Sequence, residues 1–318
     1  MSDPVVVWWT IDSLRQDICS VYEGEARTPV LSQLAEQGKS YNARSMATWT
    51  LPSVTSILTG EQPEKHGVET QDDRLQPGTP TLPQYFRNQG WNTLGIVANP
   101  WFSRRKGLDI GFDQFYNITE DGSLIKEVSR ASVVKHLLNY RTRGGGLSLD
   151  VDNHPSEPLI VDLAREWLRE AEQPTFIMVH TQGAHSPYNS PNTWNRHQDE
   201  TEPLRADYLN LVEFIDAQLG RFIDTLPSNA TIIVTSDHGE ALGESGEWGH
   251  KNEELDFLHD VPAIIAGSTP NLTNNIDHID IHDWLREDII PAHGNQVRSN
   301  DLEEQLEALG YVDGRHSV

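Results

Sequence analysis

The sequence has one cysteine, Cys19, in 318 residues. A single cysteine excludes an internal disulfide framework and a zinc site built from a thiolate cluster. No stretch approaches the ~18 consecutive apolar residues of a membrane-spanning helix, so we expect no transmembrane segment. The N-terminus lacks a basic region followed by an apolar one, so we expect no signal peptide. This predicts a cytoplasmic protein.

Positive charge is also scarce. The chain has 24 basic against 48 acidic residues, for a formal net charge of -24, which argues against nucleic acid as a partner. The acidic residues are spread along the chain, and arginine supplies most of the positive charge. This composition predicts a protein kept soluble at high salt, as in a halophile.

Apolar segments of strand length alternate with segments of helical spacing. The continuous apolar runs typical of buried strands cover residues 5–11, 93–97, 175–179, 231–235 and 261–267. Helical patterns cover residues 29–38, 52–60, 82–88, 159–171 and 204–226. This alternation predicts an α/β fold with a mostly parallel central sheet and helices on both faces.

The same pattern predicts one domain over residues 1–318. Within it, residues 268–318 are interpreted as a short C-terminal extension that ends in a helix over 301–309. The segment 106–152 is the least regular, and 243–252 is a glycine-rich loop. We find no internal repeat.

Polar side chains follow several predicted strands at the point where each strand ends. They are Asp12, Asn99, His180, Asp237 and His238. Each alone is explained by a turn or a helix cap. In an open α/β sheet, however, ligands bind beyond the carboxyl ends of the strands. Carboxylate and imidazole groups gathered there suit a hard or borderline divalent cation.

Thr50 lies just before the helix that we predict from Pro52 to Gly60. Backbone N–H groups and the helix dipole at such a position favour an anion or a developing alkoxide. The alternative is a simple helix cap. A metal ion bound to the Thr50 hydroxyl would lower its pKa and make it a nucleophile.

In their order along the chain these segments resemble the sulfatase family of the alkaline-phosphatase-like superfamily. Residues 11–17 resemble the opening metal motif, and 50–67 the nucleophile helix with its exit. Residues 180–188 resemble the substrate-histidine segment, and 235–239, Thr-Ser-Asp-His-Gly, the second metal motif. The resemblance spans about residues 5 to 312. It implies an alkaline-phosphatase/sulfatase-like fold and an ester hydrolase, and the composition makes a halophilic archaeon the expected source.

The departures from the family pattern bear on the chemistry. Sulfatases carry a cysteine, oxidised to formylglycine, in Cys-x-Pro-x-Arg, whereas residues 50–54 here read Thr-Leu-Pro-Ser-Val. Thr50 cannot become formylglycine. Ser13 replaces the second of the family's paired aspartates, and 98–100 replace its Lys-x-His segment. Threonine nucleophiles occur in relatives that act on phosphate diesters, phosphonates and phospholipid head groups, so these residues favour phosphoryl or related ester transfer.

We therefore expect a metal-dependent hydrolase of sulfate or phosphate-type esters that forms a covalent intermediate on Thr50. One divalent ion is expected, Ca²⁺ first, with Mn²⁺, Mg²⁺ or Zn²⁺ as alternatives. The expected metal ligands are Asp12, Thr50, Asp237 and His238. His185 or His250 is expected to protonate the leaving oxygen.

The substrate is expected to be a small-molecule, glycan-linked or lipid-linked anionic ester. The side chains expected to contact it are Asn99, His180 and Lys251. Two alternatives stay open. An organic hydroxyl in place of water would make the same site a transferase, and the lost family residues would suit a catalytically idle protein that binds an anion.

Overall fold

The structure of the protein, a computed structural model, describes residues 4–121, 157–171, 174–188, 196–197, 200, 202–250 and 255–293. Its strands are β1 (Val5–Ile11), β2 (Gly38–Arg44), β3 (Asn92–Val97), β4 (Gln114–Asn117), β5 (Thr175–Thr181), β6 (Thr231–Thr235), β7 (Ala241–Leu242), β8 (Trp248–Gly249), β9 (Asp260–Ala266) and β10 (Asn275–Asp277). Its α-helices are α1 (Pro29–Gln37), α2 (Thr50–Thr59), α3 (Pro63–His66), α4 (Leu82–Arg87), α5 (Ile118–Asp121), α6 (Glu157–Glu170), α7 (Pro203–Ile223) and α8 (His278–Trp284).

Eight of these strands form one sheet in the order β10-β2-β9-β6-β1-β5-β3-β4. The block β6-β1-β5-β3-β4 is parallel throughout. β9 pairs antiparallel with both β6 and β2, and β10 pairs parallel with β2. Only β9 therefore runs against the other seven strands, which confirms the predicted mostly parallel sheet.

Helices cover both faces of this sheet because its strands are apolar on both sides. Successive side chains of a strand point to opposite faces, so Val7 and Trp9 of β1 enter one core, and Val6 and Trp8 enter the other. The first core also takes its side chains from α1, α6 and α7. The second takes them from α2, α4 and α8. The result is a three-layer α/β fold, as the sequence predicts.

Three strands of the sheet, β2, β4 and β10, are absent from the sequence-based prediction. β2 reads Gly-Lys-Ser-Tyr-Asn-Ala-Arg, and only Tyr41 and Ala43 are buried, so it lacks a continuous apolar run. β4 lies in the segment 106–152 that we took as irregular. The predicted loop 243–252 contains β8, which pairs with β7 as a short hairpin.

The predicted C-terminal extension begins inside the fold. β10 extends the sheet beside β2, and Ile281 of α8 is buried in the second core. The 268–318 boundary remains a prediction, and its closing helix at 301–309 lies outside the described residues. Among the residues that the structure describes, no helix is long and apolar enough to cross a membrane.

Candidate active site

Four neighbouring strands deliver the polar side chains to one edge of the sheet. Their register aligns Thr235 with Thr10, Thr10 with His180, and His180 with Val97. The chain beyond this row carries Asp237 after β6, Asp12 after β1 and Asn99 after β3. Because these strands are parallel and adjacent, side chains that are far apart in sequence meet at this edge.

The carboxylates of Asp12 and Asp237 are both fully buried. Asp12 Oδ2 accepts a hydrogen bond from Asn99 Nδ2 at 2.7 Å, and Asp12 Oδ1 accepts one from Ser13 Oγ at 2.9 Å. Asp237 Oδ2 lies 3.1 Å from His180 Nε2. Burial alone would raise the pKa of Asp237, but the charges of His238 and His180 outweigh burial and hold that pKa far below its usual range.

His238 points an acceptor atom at these carboxylates. Its Nδ1 donates to the Gly239 carbonyl oxygen at 2.9 Å, which leaves Nε2 as the ring atom that faces the carboxylates. Nε2 lies 3.5 Å from Asp12 Oδ1 and 3.7 Å from Asp237 Oδ2. Acceptors gathered this closely repel one another unless a cation lies among them. The donor set therefore fits a divalent metal ion.

His180 lies in this cluster as well. Ligand atoms of Asp12, His180 and Asp237 all lie within 4.8 Å of one another. Burial lowers the pKa of His180, but the charge of Asp237 and the hydrogen bond to it outweigh burial and raise that pKa. We expected His180 to contact substrate. Its position suits a metal ligand or an N–H donor to Asp237.

α2 begins at Thr50, two residues before the predicted Pro52, so Thr50 lies inside the helix and Trp49 occupies the cap position. Thr50 Oγ1 lies 3.2 Å from Asn99 Nδ2 and 3.4 Å from His238 Nε2. The hydroxyl thus faces the carboxylate cluster, so a simple capping role does not describe it. The Asn99 amide contacts both Thr50 and Asp12. We expected it to contact substrate, but its contacts in the structure are with these two site residues.

The two candidate proton donors lie beside the cluster of Asp12, Asp237 and His238. The ring centroid of His250 is 4.5 Å from that of His238 and 5.2 Å from that of His185. The structure therefore brings together every predicted site residue that it describes. Lys251, expected to contact substrate, lies outside the described residues.

A family model described as "Sulfatase" matches residues 4–287. The chain belongs to the sulfatase family. Among curated relatives, the low-salt glycan biosynthesis sulfotransferase Agl7 of Haloferax volcanii is 25% identical over 74% of this chain and 50% of its own length. Human iduronate 2-sulfatase is 25% identical over 82% of this chain and 60% of its own length. The chain thus spans 50% to 60% of the length of these two relatives.

Several solved structures share the fold. The phosphonate monoester hydrolase of Agrobacterium radiobacter superposes with a TM-score of 0.71 at 18% identity, covering 89% of this chain and 73% of that one. The C-terminal periplasmic domain of EptC from Escherichia coli, in complex with Zn, superposes with a TM-score of 0.60 at 17% identity, covering 84% and 74%. These likenesses confirm the sulfatase-like α/β architecture.

Ser13 is also a site residue of this sulfatase-family chain, and the sequence did not predict its contacts. Its φ of 61° lies in the left-handed region that few side chains adopt. In this conformation its N–H lies 3.3 Å from Asp237 Oδ1 while its hydroxyl reaches Asp12. Ser13 therefore ties the two carboxylates together. Its signals in the sequence are its place next to Asp12 and its match to the second of the family's paired aspartates.

Glu157, at the start of α6, is a second such residue. Its Oε1 accepts a hydrogen bond from the Gly183 N–H at 3.2 Å, and the next residue, Ala184, donates its N–H to the Asp12 carbonyl at 2.9 Å. A Cβ at Gly183 would lie 2.7 Å from the Asp12 backbone, so this turn needs glycine. Glu157 thus supports the turn at Gly183, which packs on the Asp12 backbone and precedes His185. Burial raises its pKa to about 7.

Glu157→Gln is expected to change how stability depends on pH. The folded pKa of about 7 exceeds the ordinary value of 4.5. The stability that the protonated Glu157 contributes to the folded protein is therefore fully present below pH 4.5 and is lost as the pH rises through 7. Urea unfolding should show the variant close to wild type at pH 4.5 and more stable than wild type at pH 8, by up to about 3 kcal/mol. An unchanged difference across this range would contradict the prediction.

Proposed function

We propose that this protein is a metal-dependent hydrolase of sulfate or phosphate-type esters that forms a covalent intermediate on Thr50. The observation that carries the proposal is the position of Thr50 Oγ1. It lies at the start of α2, 3.2 Å from Asn99 Nδ2 and 3.4 Å from His238 Nε2. Both of these neighbours also contact the buried Asp12 carboxylate, Asn99 Nδ2 at 2.7 Å and His238 Nε2 at 3.5 Å. A hydroxyl that served only to stabilise the fold would not need contacts with both the Asn99 amide and the His238 ring.

The chain's own groups prepare Thr50 for attack. Asp12, Asp237 and His238, with Thr50 itself, would hold one divalent ion, which when bound lowers the pKa of a ligated hydroxyl and neutralises charge on the transferring group. Asn99 Nδ2 donates to Thr50 Oγ1 and so stabilises negative charge on that oxygen. The N-terminus of α2 stabilises the same charge. Ser13 holds the two carboxylates in register.

The reaction balances in two steps. Thr50 first releases its hydroxyl proton to solvent. Its Oγ1 then forms a bond to phosphorus or sulfur while the bond to the ester oxygen breaks, and that oxygen takes a proton from His250 or His185. A water molecule next attacks the Thr50 ester and gives a proton to the same histidine, the bond to Thr50 Oγ1 breaks, and Thr50 takes a proton back from solvent. The products are the free acid and the alcohol.

Phosphate-type esters suit this site better than sulfate esters. A formylglycine hydrate expels sulfate through its second hydroxyl, and Thr50 has only one. The position of the family's arginine is Val54, which is fully buried and offers no positive charge. Ca²⁺ remains the first expectation for the ion, and Zn²⁺ gains support from the Zn complex of EptC.

A transferase is the second candidate. The name of the Haloferax relative describes a sulfotransferase, and a relative from Salmonella typhimurium is a phosphoethanolamine transferase, EptA, 28% identical over 42% of this chain. In a transferase an organic hydroxyl replaces water in the second step. An idle anion-binding relative is the remaining alternative, but it gives no reason for Thr50 and Asn99 to converge on the carboxylates.

An ester panel tests the proposal. The 4-nitrophenyl esters of sulfate, phosphate and phenylphosphonate would be assayed with Ca²⁺, Mn²⁺, Mg²⁺ and Zn²⁺ in turn, with and without glycerol as an acceptor. Turnover of a phosphate-type ester that stops with chelator supports the hydrolase. Product formation only with the acceptor supports the transferase. Absence of turnover under every condition would favour the idle relative.

We also propose that the protein is adapted to high salt, in the cytoplasm of a halophile. Its net charge of -24 produces self-repulsion that salt screens. The melting temperature is therefore expected to rise between 0.1 M and 2 M KCl. Calorimetry at several KCl concentrations would measure it, and a melting temperature that falls steadily as KCl rises would contradict the proposal.

A further inference from the structure

A buried carboxylate, Glu240, connects two segments of the site. Glu240 Oε1 accepts a hydrogen bond from the Tyr188 hydroxyl at 2.7 Å, and Oε2 lies 3.0 Å from Nδ1 of His250. An ionised carboxylate only accepts hydrogen bonds, so Nδ1 of His250 carries a proton. Both oxygens of Glu240 are thus engaged, and the side chain itself is inaccessible to solvent.

The backbone of Glu240 is held as firmly as its side chain. Its carbonyl accepts a hydrogen bond from Arg15 Nη1 at 3.2 Å, and the same guanidinium contacts Glu244 at 2.5 Å. The Arg15 guanidinium carbon also lies 4.4 Å from the centroid of the Phe257 ring. Arg15 therefore fixes the chain that leads from His238 to the β7–β8 hairpin, with Glu240 in between.

We infer that Glu240 is a positioning residue for His250, and that His250 rather than His185 donates the proton to the leaving oxygen. The inference rests on the proposed function. With Nδ1–H held by Glu240, Nε2 is the ring atom left for the substrate, and the neutral ring that remains after proton transfer keeps its Nδ1 proton on Glu240. The Nδ1 atom of His185 instead lies 2.5 Å from the carbonyl oxygen of Ser186, which is a neutral acceptor.

Dependence on the leaving group tests this role. Glu240→Gln and His250→Ala would be assayed on the 4-nitrophenyl and phenyl esters of whichever acid the wild type releases fastest. General acid catalysis contributes about 10²–10⁴-fold, so both variants should lose about 10²-fold or more on the phenyl ester. They should lose far less on the 4-nitrophenyl ester, because nitrophenolate leaves without a proton. The double variant should lose little beyond His250→Ala.

Tyr188→Phe is the matched control, because it removes the other hydrogen bond to Glu240 and leaves the bond to His250. It should slow both esters by the same factor. Glu240→Asp, which keeps the charge, should recover part of the loss on the phenyl ester. Equal loss on both esters in Glu240→Gln, with circular dichroism showing a folded protein, would overturn the inference.

A second readout does not need turnover. In protein labelled with ¹⁵N-histidine and loaded with Ca²⁺ or Zn²⁺, NMR should show His250 protonated at Nδ1, with the signal assigned through His250→Ala. Glu240→Gln should shift that signal, and Tyr188→Phe should not. A neutral His250 ring with a bare Nδ1 in the wild type would overturn the inference. If the NMR result holds and no ester is turned over, the proposed function fails while the hydrogen-bonded arrangement stands.

Discussion

Asp237→Ala is expected to remove the bound metal ion and leave the protein folded. Asp237 lies beyond the end of β6, so its loss does not open either apolar core. Its carboxylate is fully buried, and its Oδ2 faces both His180 and His238. Removing it halves the negative charge available to a cation. Metal content measured by elemental analysis after dialysis should fall from about one ion per chain to near zero.

Two further variants sharpen this result. Asp237→Asn keeps the size of the side chain and loses its charge, so it should lose metal affinity with little change in melting temperature. Asp260→Asn is the control, because Asp260 begins β9 at the same edge of the sheet and pairs with Arg44 at 3.0 Å, outside the carboxylate cluster. It should keep its metal ion. Full metal content in Asp237→Ala would show that our ligand assignment is wrong.

The parallel part of the fold could be predicted because burial on both faces leaves a plain signal. β1, β5 and β6 are almost uninterrupted apolar runs, and buried parallel strands require such runs. Their shared direction then places Asp12 and Asp237 at one edge. The site follows from the fold by geometry, so a correct sheet also predicted which distant residues converge.

The rest depends on contacts that no local pattern encodes. β2 has polar residues at most of its positions, and it is a strand because β9 and β10 pair with it. The reversed direction of β9 follows from the same pairing. Glu240 could be read as a solvated turn residue, and only the fold brings Tyr188 and His250 to its two oxygens. The strained conformation of Ser13 is likewise imposed by the carboxylates on either side.

Thr50→Ala is expected to lower turnover by at least about a thousandfold, because it removes the nucleophile itself. The protein should stay folded. Thr50 does not cap α2, so the variant loses the hydrogen bond with Asn99, the 3.4 Å contact with His238 and a methyl group, at a cost of about 1–2 kcal/mol. Steady-state kinetics beside thermal unfolding would measure both effects. Near-normal turnover would show that Thr50 is not the nucleophile.

Serine and asparagine at position 50 separate attack from packing. Thr50→Ser keeps the hydroxyl beside Asn99 and His238, so it should retain much of the activity. Thr50→Asn keeps a polar side chain but has no hydroxyl that could attack, so it should be stable and inactive. Mass spectrometry of quenched wild-type reactions should find the phosphoryl or sulfuryl group on Thr50. An active Thr50→Asn enzyme would refute the assignment.

The choice between phosphate and sulfate follows from the same residue. A sulfated Thr50 must be cleaved by water, since its Cβ carries no second hydroxyl that could expel the sulfate. Water can attack the phosphorus of a phosphorylated Thr50 without help from a second hydroxyl. The wild type should therefore turn over phosphate-type esters faster than sulfate esters. Thr50→Cys should not improve sulfate turnover, because Val54 replaces the arginine of the formylglycine motif. A clear wild-type preference for sulfate esters would mean that water or an acceptor resolves a threonine sulfate efficiently in this site. In that case the sulfotransferase relative would be the better guide to its chemistry.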